Sequence, residues 1–317
     1  MRIVFMGTPA FAVESLRAVC DAGYEVVGVV TMPDKPAGRG QKITKSAVKI
    51  FAEERGLRIL QPERLKDENF ISELRSLHAD LQIVVAFRML PEIVWNMPPL
   101  GTFNLHASLL PQYRGAAPIN WAVINGDTQT GVTTFRLKHE LDTGDIMLQQ
   151  KIDILPDDDA GSVHDKLMTI GAQMVVETIR NIENRTVKYL EQNNIATHKT
   201  LRPAPKIFKA DMKIDWSQPM EKIHNLVRGL SPYPTAWTEL PDAKGNTISA
   251  KIYHTTPYNS SKLRVGEIET DGKTHVAIGC ADGALLIDDI QLAGKKRMDI
   301  RTFLSGFRFA EGEKFCS

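Results

Sequence analysis

The sequence is poor in cysteine and has no cysteine pair at metal-binding spacing. Cys20, Cys280 and Cys316 lie far apart along 317 residues, without a C-x-x-C pattern. A zinc site and a disulfide framework both require closely placed cysteines, so neither is indicated. We expect a protein that works in the reducing cytoplasm.

Long apolar runs and an excess of one charge are also missing. No apolar run approaches the 18 residues that a membrane-spanning helix needs, and the segment from Ile3 to Met6 is too short for a signal peptide. With 39 Lys and Arg against 38 Asp and Glu, the net charge is +1. A net charge this small gives the protein no strong positive electrostatic field of the kind that attracts nucleic acids or membranes. Any contact with nucleic acid must therefore come from local basic clusters.

The first half of the chain alternates short apolar runs with segments of helical spacing. The strand-like runs are residues 3–6, 26–30, 58–60, 81–87, 101–106 and 131–136. The helical segments are residues 11–20, 47–55, 70–77 and 163–184. This alternation predicts an α/β domain with a doubly wound, Rossmann-like parallel sheet.

The second half has a different pattern. Periodicity fades over residues 186–209, and residues 185–209 carry six basic residues against Glu191 alone. A helix is predicted over residues 220–230, followed by short strands at 236–239, 247–254, 265–269, 275–279 and 284–288. Such short strands indicate a small β-barrel of the oligonucleotide-binding (OB) type. We place the domains at residues 1–188 and 208–317, joined by a linker over residues 189–207.

The turn Gly7-Thr8-Pro9 follows the first strand, where a dinucleotide-binding fold carries G-x-G-x-x-G. The second and third glycines are absent here. A tight strand-to-helix turn is therefore favoured over a nicotinamide site, although an oxidoreductase stays an alternative that a reduced-cofactor absorbance assay would detect.

Asn104 and His106 lie at the end of a predicted strand, and side-chain alternation places them on the same side. In an open α/β sheet, ligands bind at the carboxyl ends of the strands. There an amide and an imidazole can donate hydrogen bonds to a carbonyl oxygen as it becomes an oxyanion. Asp142, after the next strand, is able to orient the imidazole and hold a water. A structural polar pair and a turn aspartate are the alternatives that these residues leave open.

Three motifs together resemble the signature of the folate-dependent formyltransferases. They are N-x-H at residues 104–106, S-L-L-P-x-Y-R-G at 108–115 and L-D-x-G at 141–144. The resemblance implies transfer of a formyl group from 10-formyltetrahydrofolate to an amine, with Asn104, His106 and Asp142 as catalytic residues. It implies no metal.

The same resemblance implies a folate pocket. Its residues would be Phe87, Met89, Leu90, Ser108, Leu109, Leu110 and Pro111. The family commonly has Tyr-Gly where this chain has Phe87-Arg88, so Arg88 either changes the shape of the pocket or points to solvent.

Within this family, the whole chain is most similar to the members that formylate initiator methionyl-tRNA for translation initiation. The segment T-M-P-D-K-P-A-G-R-G at residues 31–40 resembles the loop with which those enzymes engage the acceptor stem, and their C-terminal barrel helps to hold tRNA. The implied tRNA-binding residues are Lys35, Arg39, Lys42, Lys45, Lys206 and Lys209. A cationic arm of this kind suits phosphate contacts. An ordinary solvated loop is the alternative.

Other functions share parts of this pattern. Formylation of a sugar-nucleotide amine is the main alternative, although those enzymes lack the P-A-G-R-G loop. Glycinamide ribonucleotide formyltransferases lack the second domain, and a formyltetrahydrofolate hydrolase would leave residues 208–317 without a purpose. A catalytically inactive tRNA-binding protein would not need the intact Asn104, His106 and Asp142. We expect a monomer, because no apolar surface stripe is evident.

Overall fold

Apolar runs rich in β-branched residues form the first sheet of the chain. The computed structural model describes residues 1–37, 42–195, 200–244, 246–258, 263–309 and 316. Within these residues the sheet consists of β1 (Arg2–Gly7), β2 (Glu25–Val30), β5 (Ile59–Leu60), β6 (Leu81–Val85), β7 (Thr102–His106), β8 (Gln129–Arg136) and β9 (Ile146–Asp153). Consecutive residues of β1 and β6 are buried, so neither face of the centre meets solvent. Such burial explains why these strands read as continuous apolar runs.

The strand order is β5-β2-β1-β6-β7-β8-β9. Pairing is parallel from β5 through β7, whereas β8 runs antiparallel to β7. The predicted doubly wound, parallel-dominated sheet is therefore confirmed. The antiparallel β8 and the additional strand β9 were not predicted.

Helices connect these strands, and two of the helices begin with a side-chain cap. They are α1 (Ala10–Asp21), α2 (Ala47–Glu54), α3 (Glu68–Ser76), α4 (Glu92–Trp95), α5 (Pro118–Ile124) and α6 (Ala160–Glu183). The Ser46 hydroxyl accepts the Lys49 amide at the start of α2, and the Asp67 carboxylate accepts the Phe70 amide at the start of α3. Each cap satisfies a backbone donor that has no partner inside its helix.

Two short strands in the basic segment after β2 form a separate sheet. Its strands are β3 (Lys35–Ala37) and β4 (Lys42–Thr44), which pair antiparallel outside the main sheet. At its base the Lys49 ammonium donates to Asp34 Oδ2 at 2.6 Å and to Gln61 Oε1 at 2.8 Å. The ammonium of Lys49, which lies on α2, is therefore held in this network.

A second sheet is built from short antiparallel strands. They are β10 (Ala236–Pro241), β11 (Thr247–Tyr258), β12 (Ile268–Thr270), β13 (Val276–Gly279), β14 (Ala284–Leu292) and β15 (Met298–Asp299). Their order is β10-β11-β14-β13-β12, with β15 also paired to β14. Helices α7 (Met220–Leu230) and α8 (Ile300–Gly306) contribute Val227 and Phe303 to its core. The small antiparallel β unit is confirmed; its classification as an OB barrel stays a prediction.

The chain divides into two compact units. The first comprises Met1–Pro118, Thr130–Ile152 and His164–Ala204, and the second comprises Ile119–Gln129, Asp153–Val163 and Pro205–Ser317. The domain boundaries at residues 188 and 208 stay a prediction. Among the described residues, no helix combines the length and the apolarity that a bilayer crossing requires.

Candidate active site

Asn104 and His106 lie at the carboxyl end of β7, between β6 and β8. Being two residues apart on one strand, they share a face of the sheet. His106 is buried, with 6% of its surface exposed. The Asn104 Oδ1 atom is buried and has no hydrogen-bond partner among the described residues. A buried acceptor without a partner is costly, so this position suits a ligand that supplies a donor.

The orientation of the His106 ring is fixed by a backbone carbonyl. His106 Nε2 lies 2.8 Å from the carbonyl oxygen of Tyr113. A carbonyl can only accept, so Nε2 carries the proton and Nδ1 is the nitrogen left for chemistry. Tyr113 is held in turn, because its amide donates to the Arg202 carbonyl at 2.7 Å.

Asp142 faces the remaining nitrogen of the ring. Its Oδ2 lies 3.8 Å from His106 Nδ1, too far for a direct hydrogen bond but close enough for a strong interaction with a protonated ring. The Tyr113 carbonyl holds the ring at Nε2, and the orienting role expected of Asp142 at Nδ1 stays a prediction. Asp142 is 7% exposed, and its Oδ2 accepts the Gly115 amide at 2.9 Å.

Glycines at positions 115 and 144 allow the two loops beside Asp142 to lie close to neighbouring backbone. Gly115 has φ of +129°, and a Cβ there would lie 2.4 Å from the Ala204 carbonyl oxygen. At Gly144 a Cβ would lie 1.6 Å from the Arg136 carbonyl oxygen. A side chain at either position would therefore displace the loop that carries it.

The segment from Ser108 to Pro111 is fastened to β8 and β9. The Thr133 hydroxyl donates to the Ser108 carbonyl at 2.6 Å, and the Gln149 amide donates to the Leu110 carbonyl at 2.7 Å. The side chains of Ser108, Leu110 and Pro111 are buried, and the Ser108 hydroxyl donates to a backbone carbonyl. Any folate contact from these three residues would therefore come from backbone atoms, while half-buried Leu109 keeps an accessible side chain.

The other expected folate residues differ in exposure. Phe87 is half-buried, Met89 is 72% exposed and Leu90 is 9% exposed. Arg88 does not point to solvent: its guanidinium donates to the carbonyl oxygens of Pro62 and Glu63. Partial burial lowers the pKa of this guanidinium. Arg88 thus ties the loop after β6 to the segment after β5.

The expected tRNA-binding residues fall in both units. Lys35 and Lys45 are exposed in the first unit, although Lys45 forms an ion pair with Glu53 at 2.8 Å. Lys42 lies on β4, and Arg39 lies outside the described residues.

In the second unit the expected lysines lie beside aromatic rings. The Lys206 ammonium lies 5.5 Å from the centre of the exposed Phe208 ring, and that of Lys209 lies 5.4 Å from the Trp237 ring. Lysines beside aromatic rings form a surface of the kind that nucleic acids contact. The roles of these residues stay predictions.

Two residues that shape the surroundings of His106 were not predicted from the sequence. Tyr113 lies inside a recognised motif, but only the fold reveals that its carbonyl binds His106. Gln192, whose side-chain amide donates to the carbonyl oxygens of Asp142 and Gly144, lies in the stretch interpreted as linker, where no motif indicated it. Within the described residues, no group of three or more His, Cys, Asp or Glu residues is placed to hold a metal ion.

The chain is similar to known formyl transferases over nearly its whole length. Residues 1–179 match the family described as formyl transferase, and residues 206–308 match the formyl transferase C-terminal domain. The chain is 56% identical over 315 residues to a methionyl-tRNA formyltransferase of Bacteroides thetaiotaomicron, covering 99% of this chain and 98% of that protein. It is 58% identical over 311 residues to a methionyl-tRNA formyltransferase of Parabacteroides distasonis, covering 97% and 96%.

Among solved structures, the fold is similar to WlaRD, a sugar 3N-formyl transferase crystallised with dTDP and 5-N-formyl-THF. The TM-score is 0.66 at 22% identity, covering 93% of this chain and 99% of that one. At this identity the likeness shows the shared fold only.

Proposed function

The chain belongs to the methionyl-tRNA formyltransferase family, and we propose that it transfers the formyl group of 10-formyltetrahydrofolate to the α-amine of initiator methionyl-tRNA. The product is N-formylmethionyl-tRNA, which serves translation initiation. The observation that carries this proposal is the identity of more than half of the residues over nearly the whole chain. The arrangement of His106 and Asp142 at the end of β7 supplies chemistry that suits it.

Attack of the amine on the formyl carbon forms a C–N bond and places negative charge on the former carbonyl oxygen. We assign Asn104 and His106 to that oxygen as hydrogen-bond donors. Because Nε2 of His106 is bound to the Tyr113 carbonyl, the donor must be Nδ1 in its protonated form. Asp142, 3.8 Å away, stabilises the positive charge of that ring.

The amine has to be neutral when it attacks, so its surplus proton leaves once the tetrahedral species has formed. We assign the removal of this proton to the Asp142 carboxylate, which relays it through water. Collapse of the tetrahedral species then breaks the bond to the folate nitrogen, which takes up a proton. No step of this reaction needs a metal.

The folate co-substrate is proposed to lie against the loop after β6 and the segment after β7. Exposed Met89 and half-buried Phe87 supply apolar surface for a flat ring. For tRNA, we propose phosphate contacts from Lys35, Arg39, Lys42 and Lys45 in the first unit and from the lysines at 206 and 209 in the second.

Parallel incubations with different acceptors test the function. The purified chain and 10-formyltetrahydrofolate are mixed with charged initiator methionyl-tRNA, with a dTDP-linked amino sugar, or with no acceptor. Chromatography then quantifies N-formylmethionine, formylated sugar and free formate. We expect N-formylmethionine to be the dominant product. Preferential formylation of the sugar would favour the sugar-nucleotide alternative, and formate release without an acceptor would indicate a hydrolase.

We also propose a cytoplasmic monomer. Light scattering on the purified chain should give a mass near the 35.4 kDa of one copy. A mass of twice that value would contradict the proposal.

A further inference from the structure

Gln192 is a buried polar residue outside the sequence motifs. It begins a short 3₁₀ helix, Gln192–Asn194, and only 4% of its surface is exposed. A buried amide is tolerated only when its donors and acceptor find partners. The partners of Gln192 all belong to the two loops that surround His106.

The Gln192 side chain makes four hydrogen bonds. Its Nε2 donates to the carbonyl oxygens of Asp142 and Gly144, both at 2.8 Å. Its Oε1 accepts from Arg114 Nε at 3.0 Å and from Arg114 Nη2 at 2.6 Å. Carbonyls only accept and a guanidinium only donates, so the amide cannot be flipped without losing all four bonds. The orientation of Gln192 is therefore fixed by chemistry.

These bonds join the two loops on which the His106 environment depends. On one side, the clamped carbonyl belongs to Asp142 itself, whose carboxylate accepts the Gly115 amide and faces His106. On the other side, Arg114 lies between Gly115 and Tyr113, whose carbonyl binds the His106 ring. Gln192 thus sets the distance between the Asp142 loop and the loop that orients His106.

We propose that Gln192 is a positioning residue for formyl transfer, acting through Asp142 and Tyr113 without touching either substrate. The proposal rests on the proposed function and deepens it. A residue of this kind controls how accurately the reacting groups are placed, so its loss lowers kcat more than it changes KM. Displacement of reacting groups by about 1 Å is enough to cost about 10²-fold in rate.

Two substitutions and one control test the role. Gln192→Ala removes all four hydrogen bonds. Gln192→Glu has the same size and keeps an acceptor for Arg114, but it places a carboxylate oxygen against the carbonyls of Asp142 and Gly144. The control, Asn193→Ala, alters an exposed neighbour in the same 3₁₀ helix.

We expect both Gln192 variants to lower kcat at least about 10-fold, with KM for methionyl-tRNA and for 10-formyltetrahydrofolate within about threefold of wild type. Asn193→Ala should match wild type. The size-conserving Gln192→Glu carries the test if Gln192→Ala does not fold. A kcat within twofold of wild type for folded Gln192→Glu would overturn the proposal, as would a loss confined to KM.

Hydrogen exchange provides a readout that does not depend on activity. The Gly115 amide donates to Asp142, so peptides covering residues 113–116 and 140–145 should exchange faster in both Gln192 variants than in Asn193→Ala. Unchanged exchange in these peptides would overturn the positioning role. If wild type itself formylates no acceptor, the proposed function fails, while exchange still decides whether Gln192 holds the loops.

Discussion

Replacing Asp142 by asparagine isolates its charge from its structural role. The carboxamide has the same shape, and its oxygen can still accept the Gly115 amide, which Asp142 Oδ2 accepts at 2.9 Å. What disappears is the negative charge 3.8 Å from His106 Nδ1, together with the carboxylate proposed to relay the amine proton. Two unit charges at that distance interact by about 4 kcal/mol when the effective dielectric constant is about 20.

A loss of this size in the transition state corresponds to about 10³-fold in rate, because each 1.36 kcal/mol is tenfold. Partial compensation by solvent lowers the figure, so we expect Asp142→Asn to reduce kcat by about 10² to 10³-fold. Its free energy of unfolding should change by less than about 1 kcal/mol, whereas Asp142→Ala also strands the Gly115 amide and should cost about 1–3 kcal/mol. Single-turnover formylation and urea unfolding measure the two quantities. A kcat for Asp142→Asn within threefold of wild type would refute the electrostatic role.

Two further substitutions, each with a control variant, test the tight loop beside Asp142 and the hydrogen-bond network of Lys49. Gly144→Ala should lower kcat by about 10²-fold, since its Cβ would lie 1.6 Å from a β8 carbonyl oxygen and the loop must move. Gly306→Ala, whose Cβ would meet no described residue within 4 Å beyond its chain neighbours and its own helix backbone, should keep wild-type activity. Equal activity of the two variants would contradict the tight-loop account. Lys49→Met should destabilise the fold by about 1–2 kcal/mol in urea unfolding, because it removes a hydrogen-bonded partner of half-buried Asp34. Lys45→Met, which loses only an exposed ion pair, should change stability by less than about 0.5 kcal/mol, and a larger loss there would argue against the distinction.

The α/β alternation could be predicted because buried parallel strands leave a strong pattern. The continuous apolar runs at β1 and β6 are buried on both faces, and helical spacing marks α1 between its strands. β9 was missed because six of its eight residues, beginning at Leu148, are half-buried or exposed, so it lacks an apolar run. The antiparallel direction of β8 depends on the path of the intervening chain, which periodicity does not encode.

The sequence predicted which side chains form the candidate site, but not the contacts that hold them. Strand alternation places Asn104 and His106 on one face, and the motif at 141–144 points to Asp142. The carbonyl that orients His106 comes from a backbone atom of Tyr113, and backbone atoms carry no sequence signal. Gln192 could not be predicted for a related reason: its four hydrogen bonds join loops that lie 48 to 78 residues away along the chain.

We propose that His106 stabilises negative charge on the oxygen of the reacting formyl group and does not serve to bind tRNA. The most direct test is the single-turnover rate of His106→Ala with methionyl-tRNA already bound, together with the dissociation constant of that complex. We predict a rate at least about 10²-fold below wild type, with the dissociation constant unchanged. A wild-type rate in this variant would contradict the account.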